Sequence, residues 1–174
     1  MKISLKRKLM KDSVWIKFQN ILEHVNNLAQ FDNYVSEMES LHAGRASRNL
    51  HLKLPSPKRL IDAAAQDSSY RSRCVEIMLT VLRAQRMLNT SIEATTNHLV
   101  AKYSSEIPGS TKGEREQYIK AILSLAYEKL SDLERITEAA EYLIEDIDKA
   151  SFALKHQIDA VSLILTRETN LSKR

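Results

Sequence analysis

The sequence predicts an all-α protein, a long antiparallel helical hairpin of coiled-coil type with an N-terminal helical extension. Its 174 residues include only three glycines and three prolines, too few for the many tight turns of a β-sandwich or barrel. Apolar residues between Ile119 and Leu165 also recur in alternating steps of three and four, the heptad pattern of a helix. We therefore divide the chain into a basic N-terminal helical region with a proline-containing connector, 1–66, and the long hairpin, 67–174.

The N-terminal region begins with a predicted helix over residues 12–43. Its apolar residues line one side of a helix, and Asp12 or Ser13 can accept hydrogen bonds from the first turn. Gly44 is suited to end the last turn. Residues 45–57 are predicted to be a connector because they close on two prolines, and a short helix is expected to start at the second of these.

The hairpin consists of two predicted helices joined at Pro108-Gly109. The first starts near Ser68, and the second is capped by Thr111 and Glu114, which have the spacing of a capping box. The second helix is predicted to run for about 55 residues, ~80 Å at 1.5 Å per residue, so its far end extends past its partner. We expect that end to pack against another subunit or the N-terminal helices, through Ile144, Ile147, Leu154, Ile158, Val161 and Leu165.

Positive charge is concentrated near the N-terminus, where residues 1–60 hold eleven Lys and Arg against five Asp and Glu. Cations in turn-rich segments can follow a phosphate backbone without reading bases. Arg83 and Arg86, three apart on one helix, share a face. The predicted nucleic-acid-binding residues are Arg45, Arg48, Lys53, Lys58, Arg59, Arg83 and Arg86, and a further basic cluster comprises Lys2, Lys6, Arg7, Lys8 and Lys11.

These features have other interpretations that the sequence leaves open. The basic segments also fit a solvated tail. Tyr70 and Tyr103 fit core positions as well as a base-stacking face. Trp15 and Phe18 among lysines fit a helix lying on a membrane surface, although neighbouring asparagines dilute that pattern.

No catalytic motif is evident, and we expect a non-enzymatic protein with no catalytic residues, no cofactor and no metal. The five histidines lack metal-ligand spacing. The segment 108–113 contains glycines and a lysine, but their spacing is wrong for a phosphate loop. The carboxylates of the last helix are not accompanied by the Glu-x-x-His pairs of a four-helix di-metal site.

The composition favours a cytoplasmic protein, in the host cell cytoplasm if it is viral. Its single cysteine, Cys74, cannot form an internal disulfide. Polar residues interrupt the segment after the basic start, so no signal-peptide core is evident, and no apolar run approaches the ~20 residues of a membrane span.

The stretch Ile147-Asp148-Lys149-Ala150-Ser151-Phe152-Ala153-Leu154-Lys155-His156 resembles the C-terminal helix of the UvsY-like recombination mediators of tailed bacteriophages. The resemblance covers about the last 100 residues and is specific over about ten. It implies a helical homo-oligomer that binds single-stranded DNA and helps to load a recombinase onto strands covered by single-strand-binding protein. It assigns assembly or support roles to Phe152, Leu154, Lys155 and His156. The family's basic middle helix is not matched, since residues 89–97 are nearly uncharged.

We therefore interpret the sequence as a non-enzymatic, oligomeric accessory protein that binds single-stranded DNA. A structural or adaptor protein, such as a virion or DNA-packaging component, is the alternative, and a regulator that sequesters another protein by helix-in-groove packing is a second one.

Overall fold

The computed structural model describes residues 3–28, 30–46 and 56–171, and within these ranges it contains helices and no strand. The all-α prediction is confirmed. The helices are α1 (Ile3–Leu9), α2 (Ser13–Leu28), α3 (Phe31–Ala46), α4 (Pro57–Tyr103), α5 (Lys112–Ile122) and α6 (Ser124–Leu171).

The N-terminal segment differs from its prediction in two respects. Residues 3–9 form a helix, α1, which is buried through Leu5 and Leu9. The single helix predicted over 12–43 is two helices, α2, which ends at Leu28, and α3, which begins at Phe31. Gly44 lies within α3 and does not end it, and a Cβ at this position would be 3.3 Å from the hydroxyl of Tyr70.

The α4 helix unites two predicted elements. It starts at Pro57, where Arg59 N donates to Ser56 Oγ at 3.4 Å, so the predicted start at this proline is confirmed. It then continues without interruption to Tyr103, because nothing between these residues breaks a helix.

The turn after α4 matches the prediction. Gly109 has φ +132°, a conformation that side chains with a Cβ rarely adopt. Glu114 N donates to Thr111 Oγ1 at 3.2 Å, and Thr111 N donates to Glu114 Oε2 at 3.2 Å, so the capping box is present. The predicted last helix is interrupted once, since Leu123 (φ −94°, ψ 11°) separates α5 from α6.

Contacts group the chain into two compact units, each drawing on both predicted regions. Unit 1 comprises Met1–Asp32 and Leu79–Thr137, and unit 2 comprises Asn33–Met78 and Glu138–Arg174. This division does not coincide with the predicted boundary at 66. Burying each large aliphatic side chain contributes about 1.5–3 kcal/mol. The core of unit 1 includes Phe18, Val25, Val81, Leu88, Leu99, Ile119, Leu133 and Ile136, and that of unit 2 includes Met38, Leu60, Ile77, Leu143 and Ile147.

Within unit 2, α4 and α6 pack side by side in opposite directions. Leu60 and Ala63 of α4 pack with Leu154 of α6, whereas Arg71, further along α4, pairs with Asp148, earlier on α6. The antiparallel pairing of the hairpin is therefore present in this unit.

Candidate nucleic-acid interface

The clearest exposed cation pair lies on α4 in unit 1. Val81, Ala84 and Leu88 are fully buried, which turns the opposite side of the helix to solvent. Arg83 and Arg86 lie on that side, one turn apart and exposed, and neither forms an ion pair with another described residue. Both side chains are therefore available to an anionic ligand.

The first helix adds further cations to the same unit. The burial of Leu5 and Leu9 leaves Lys6 and Arg7 exposed, while Lys8 Nζ donates to Glu106 Oε1 at 2.7 Å. By sequence, unit 1 holds 14 Lys and Arg against 10 Asp and Glu, whereas unit 2 holds 12 of each. The whole net charge of +4 thus belongs to unit 1.

A buried carboxylate holds the start of α2 against the end of α4. Asp12 Oδ2 lies 3.0 Å from His98 Nε2 and accepts hydrogen bonds from Lys102 Nζ at 2.7 Å and Tyr103 Oη at 2.8 Å. Asp12 Oδ1 accepts from Val14 N at 2.9 Å, as the N-cap of α2. We name this group of four side chains, Asp12, His98, Lys102 and Tyr103, the Asp12 clasp.

The clasp keeps Asp12 ionised. Burial by itself raises the pKa of Asp12, but the hydrogen bonds from Lys102, His98 and Tyr103 outweigh it and hold this pKa well below its ordinary value. Burial and the neighbouring carboxylate raise the pKa of Tyr103, so its hydroxyl stays protonated and donates. Because the Asp12 side chain is 0 % exposed, no substrate can reach it, and its role is to position α1 and α2.

The predicted cation Arg45 lies in an internal cluster of unit 2. Its side chain is only 8 % exposed, and its guanidinium donates to Asp67 Oδ1 at 3.1 Å and to the carboxylate of Asp146. Burial lowers the pKa of Arg45, but the two carboxylates outweigh that effect and raise it. Arg45 therefore stabilises unit 2 and is not placed to hold a phosphate.

The other predicted cations of the N-terminal third have different positions. Lys58 and Arg59 are exposed at the start of α4 in unit 2, and neither forms an ion pair within the described ranges. Arg48 and Lys53 lie outside the described residues. Arg83 and Arg86 therefore share an exposed face of α4, whereas Lys58 and Arg59 are exposed neighbours at the start of that helix.

Neither of the two tyrosines considered for base stacking is fully exposed to solvent. Tyr103 is buried in the Asp12 clasp, and Tyr70 is partly buried beside Gly44. Their core interpretation fits these positions, and any nucleic-acid binding has to rest on the cations.

The predicted interface residues of α6 divide into two groups. Ile147 and Leu154 are buried inside unit 2, where Ile158 and Val161 pack against the cluster that includes Leu154. Ile144 is partly buried. Phe152 is 66 % exposed and Leu165 is 47 % exposed, and the neighbouring Leu163 and Ile164 are exposed as well. Only this second group offers apolar surface to another molecule.

The described residues contain neither a metal-binding cluster nor a membrane-spanning helix. No three His, Cys, Asp or Glu side chains among them lie close enough together to hold a metal ion. None of the helices, as far as they are described, has the length and apolarity to cross a bilayer.

Sequence reasoning missed the Asp12 clasp. Asp12 was predicted only as a candidate helix cap. The three side chains that bind Asp12 lie 86 to 91 positions away and carry no shared motif. The only available signal was the spacing of His98 and Lys102, which places both on one face of a helix.

Comparison with models of protein families gives no match to this chain, and neither does comparison with characterised proteins or with solved structures.

Proposed function

We propose that this protein is a non-enzymatic, oligomeric accessory protein that binds single-stranded DNA. The observation that carries the proposal is the pair Arg83 and Arg86, exposed and without carboxylate partners among the described residues, in the unit that holds all of the net positive charge. Two guanidiniums one turn apart contact phosphates without reading bases, so sequence-tolerant and salt-sensitive binding follows. Lys58 and Arg59 are a second, independent candidate contact.

We further propose that the bound DNA is presented to a recombinase, in the manner of a recombination mediator. Support for this part comes from the resemblance of residues 147–156 to the UvsY-like family. The exposed apolar residues Phe152 and Leu165 support homo-oligomerisation, since apolar side chains that lie in solvent are stabilised by burial in an interface.

Salt-dependent binding of a labelled thymidine oligonucleotide, followed by fluorescence anisotropy, tests the DNA proposal. We expect the affinity to fall steeply between about 50 and about 200 mM salt. The double variant Arg83→Gln/Arg86→Gln should lower the steepness of the log–log plot by about 1.4, because each phosphate contact on a single strand contributes about 0.7.

The matched control is Lys112→Gln/Lys120→Gln, which removes two exposed charges from α5 of the same unit. It should leave the salt dependence nearly unchanged. Absence of binding by the unaltered protein at low salt would refute the proposal, and equal losses in both double variants would refute the assignment to Arg83 and Arg86.

A structural or adaptor role is the second candidate, favoured by the same exposed apolar residues of α6. It predicts assembly or partner binding through α6 with no salt-dependent affinity for DNA, so the anisotropy measurement separates the two functions.

A further inference from the structure

An open groove of about 700 Å³ lies between α2 and α4 in unit 1. On the α2 side it is lined by Val14, Phe18 and Ile21, and on the α4 side by residues that include Met87 and Ala94. We call it the α2–α4 groove. Its volume is in the range of sites that bind ligands, and it is accessible from solvent.

The dimensions of the groove suit a helix. Its lining residues on α4 run from Arg86 to His98, which corresponds to ~18 Å at 1.5 Å per residue, or about three helical turns. Small side chains, among them Ser91 and Ala94, line the α4 wall and allow close approach of a third backbone. Grooves of this kind accept amphipathic helices through apolar anchors three and four residues apart.

The charge of the groove selects the kind of helix. Its lining includes Lys17 and Arg86, both exposed and both without an ion pair in the described part of the chain, and it includes no Asp or Glu. The third basic group, His98, is already engaged by Asp12. A complementary partner therefore carries carboxylates beside its apolar stripe.

Nucleic acid fits this groove less well. Bases bind to proteins by stacking on accessible rings, but Phe18 is only 2 % exposed, and the remaining lining side chains are aliphatic, hydroxyl-bearing or basic, apart from the engaged His98. We infer that the α2–α4 groove docks an acidic amphipathic helix of a partner protein. Arg86 belongs to this rim and to the proposed DNA contact, whereas Ala94 belongs to the groove alone, so the two activities can be separated.

Selection of a random library of helix-forming peptides on the full-length protein tests the inference. We expect the selected peptides to have apolar residues at positions i, i+3 or i+4 and i+7 and an excess of Asp and Glu. Ala94→Trp, which fills the groove without changing charge, should weaken binding of a selected peptide at least about tenfold, or about 1.4 kcal/mol. The control is Ala101→Trp. Ala101 lies two turns further along α4, exposed and outside the groove, so this variant should bind the selected peptide with unchanged affinity.

A second variant guards against misfolding of the first. Lys17→Glu changes an exposed side chain, and it should weaken the acidic peptides while leaving helicity unchanged. Selected peptides without an acidic excess, or full affinity in Ala94→Trp, would overturn the inference. Loss of self-association in Ala94→Trp would also overturn it, because a second copy of the chain would then fill the groove. Loss of oligonucleotide binding in that variant would overturn it as well, because DNA would then bind there.

Discussion

Tyr103 Oη donates a 2.8 Å hydrogen bond to Asp12 Oδ2 across 91 positions of sequence, and this contact ties the last residue of α4 to the cap of α2. Lys102 binds the same oxygen at 2.7 Å. An ionised carboxylate that is fully withdrawn from water is tolerated only because several donors surround it. The stability of unit 1 should therefore depend strongly on this one side chain.

Replacement of this carboxylate tests that dependence. Asp12→Asn should lower the free energy of unfolding by about 2–4 kcal/mol, because Lys102 loses its counter-charge and an amide cannot accept from every donor. Urea denaturation followed by circular dichroism measures the loss. The control Asp159→Asn, on an exposed part of α6, should change the stability by less than about 0.5 kcal/mol. Equal stability of Asp12→Asn and the unaltered protein would contradict the assigned role.

The clasp also predicts how stability depends on pH. The pKa of Asp12 is lower in the folded protein than its ordinary value of 3.8, so its contribution is complete above that value and is lost as the pH falls below it. Unfolding free energies measured from about pH 5 down to about pH 2.5 should decline more steeply for the unaltered protein than for Asp12→Asn. Parallel profiles would indicate that Asp12 titrates as it does in the unfolded chain.

Replacing either of two glycines near the hairpin turn by alanine should change the stability of the protein, in opposite directions at the two positions. At Gly109 a Cβ would lie 2.9 Å from Glu114 Cβ on a backbone with φ +132°, so Gly109→Ala should destabilise the protein by about 1–3 kcal/mol. At Gly113, inside α5, nothing lies within 4 Å of a Cβ, so Gly113→Ala should stabilise it by about 0.5 kcal/mol. Thermal unfolding of both variants checks the signs, and a loss of stability in Gly113→Ala would be contrary to expectation.

The ion pairs of unit 2 should contribute to the free energy of unfolding according to how deeply they are buried. Arg45→Met should cost about 3–5 kcal/mol, because the Asp67 side chain, 1 % exposed, loses the guanidinium that compensates its burial. Arg71→Met breaks an exposed pair with Asp148 and should leave the unfolding midpoint in urea almost unchanged. Similar midpoints in the two variants would mean that Arg45 is not structural.

Self-association should depend on the exposed end of α6. Leu163→Ser/Leu165→Ser removes apolar side chains that unit 2 leaves in solvent, and the sedimentation coefficient at high protein concentration should fall toward that of a single chain. Leu125→Ser, which changes an exposed leucine of unit 1, is the control and should behave as the unaltered protein. If all three proteins sediment alike, α6 is not the interface.

Local signals predicted part of this structure well. Heptad spacing predicted helices on both sides of the turn, Gly109 marked the turn, and Thr111 with Glu114 marked the next helix start, because each depends on residues close in sequence. The interruption at Leu123 had no such signal, since neither Gly nor Pro occurs there.

Features set by tertiary contacts were not predictable. In the sequence Arg45 looks like Arg83 or Arg86, and only packing shows that Arg45 faces two carboxylates whereas the others face solvent. The α2–α4 groove likewise arises from two helices whose lining residues are about 70 positions apart. For the candidate site, sequence therefore supplied the cations but not which of them are free.

The sequence separation within the Asp12 clasp has a consequence for synthesis on the ribosome. Asp12 is translated 86 to 91 residues before the side chains that bind it, a delay of roughly 4–18 s at cellular elongation rates. During that interval the apolar face of the newly synthesised α2 has nothing to pack against. Newly made chains should therefore recruit chaperones until the clasp residues of α4 have left the exit tunnel.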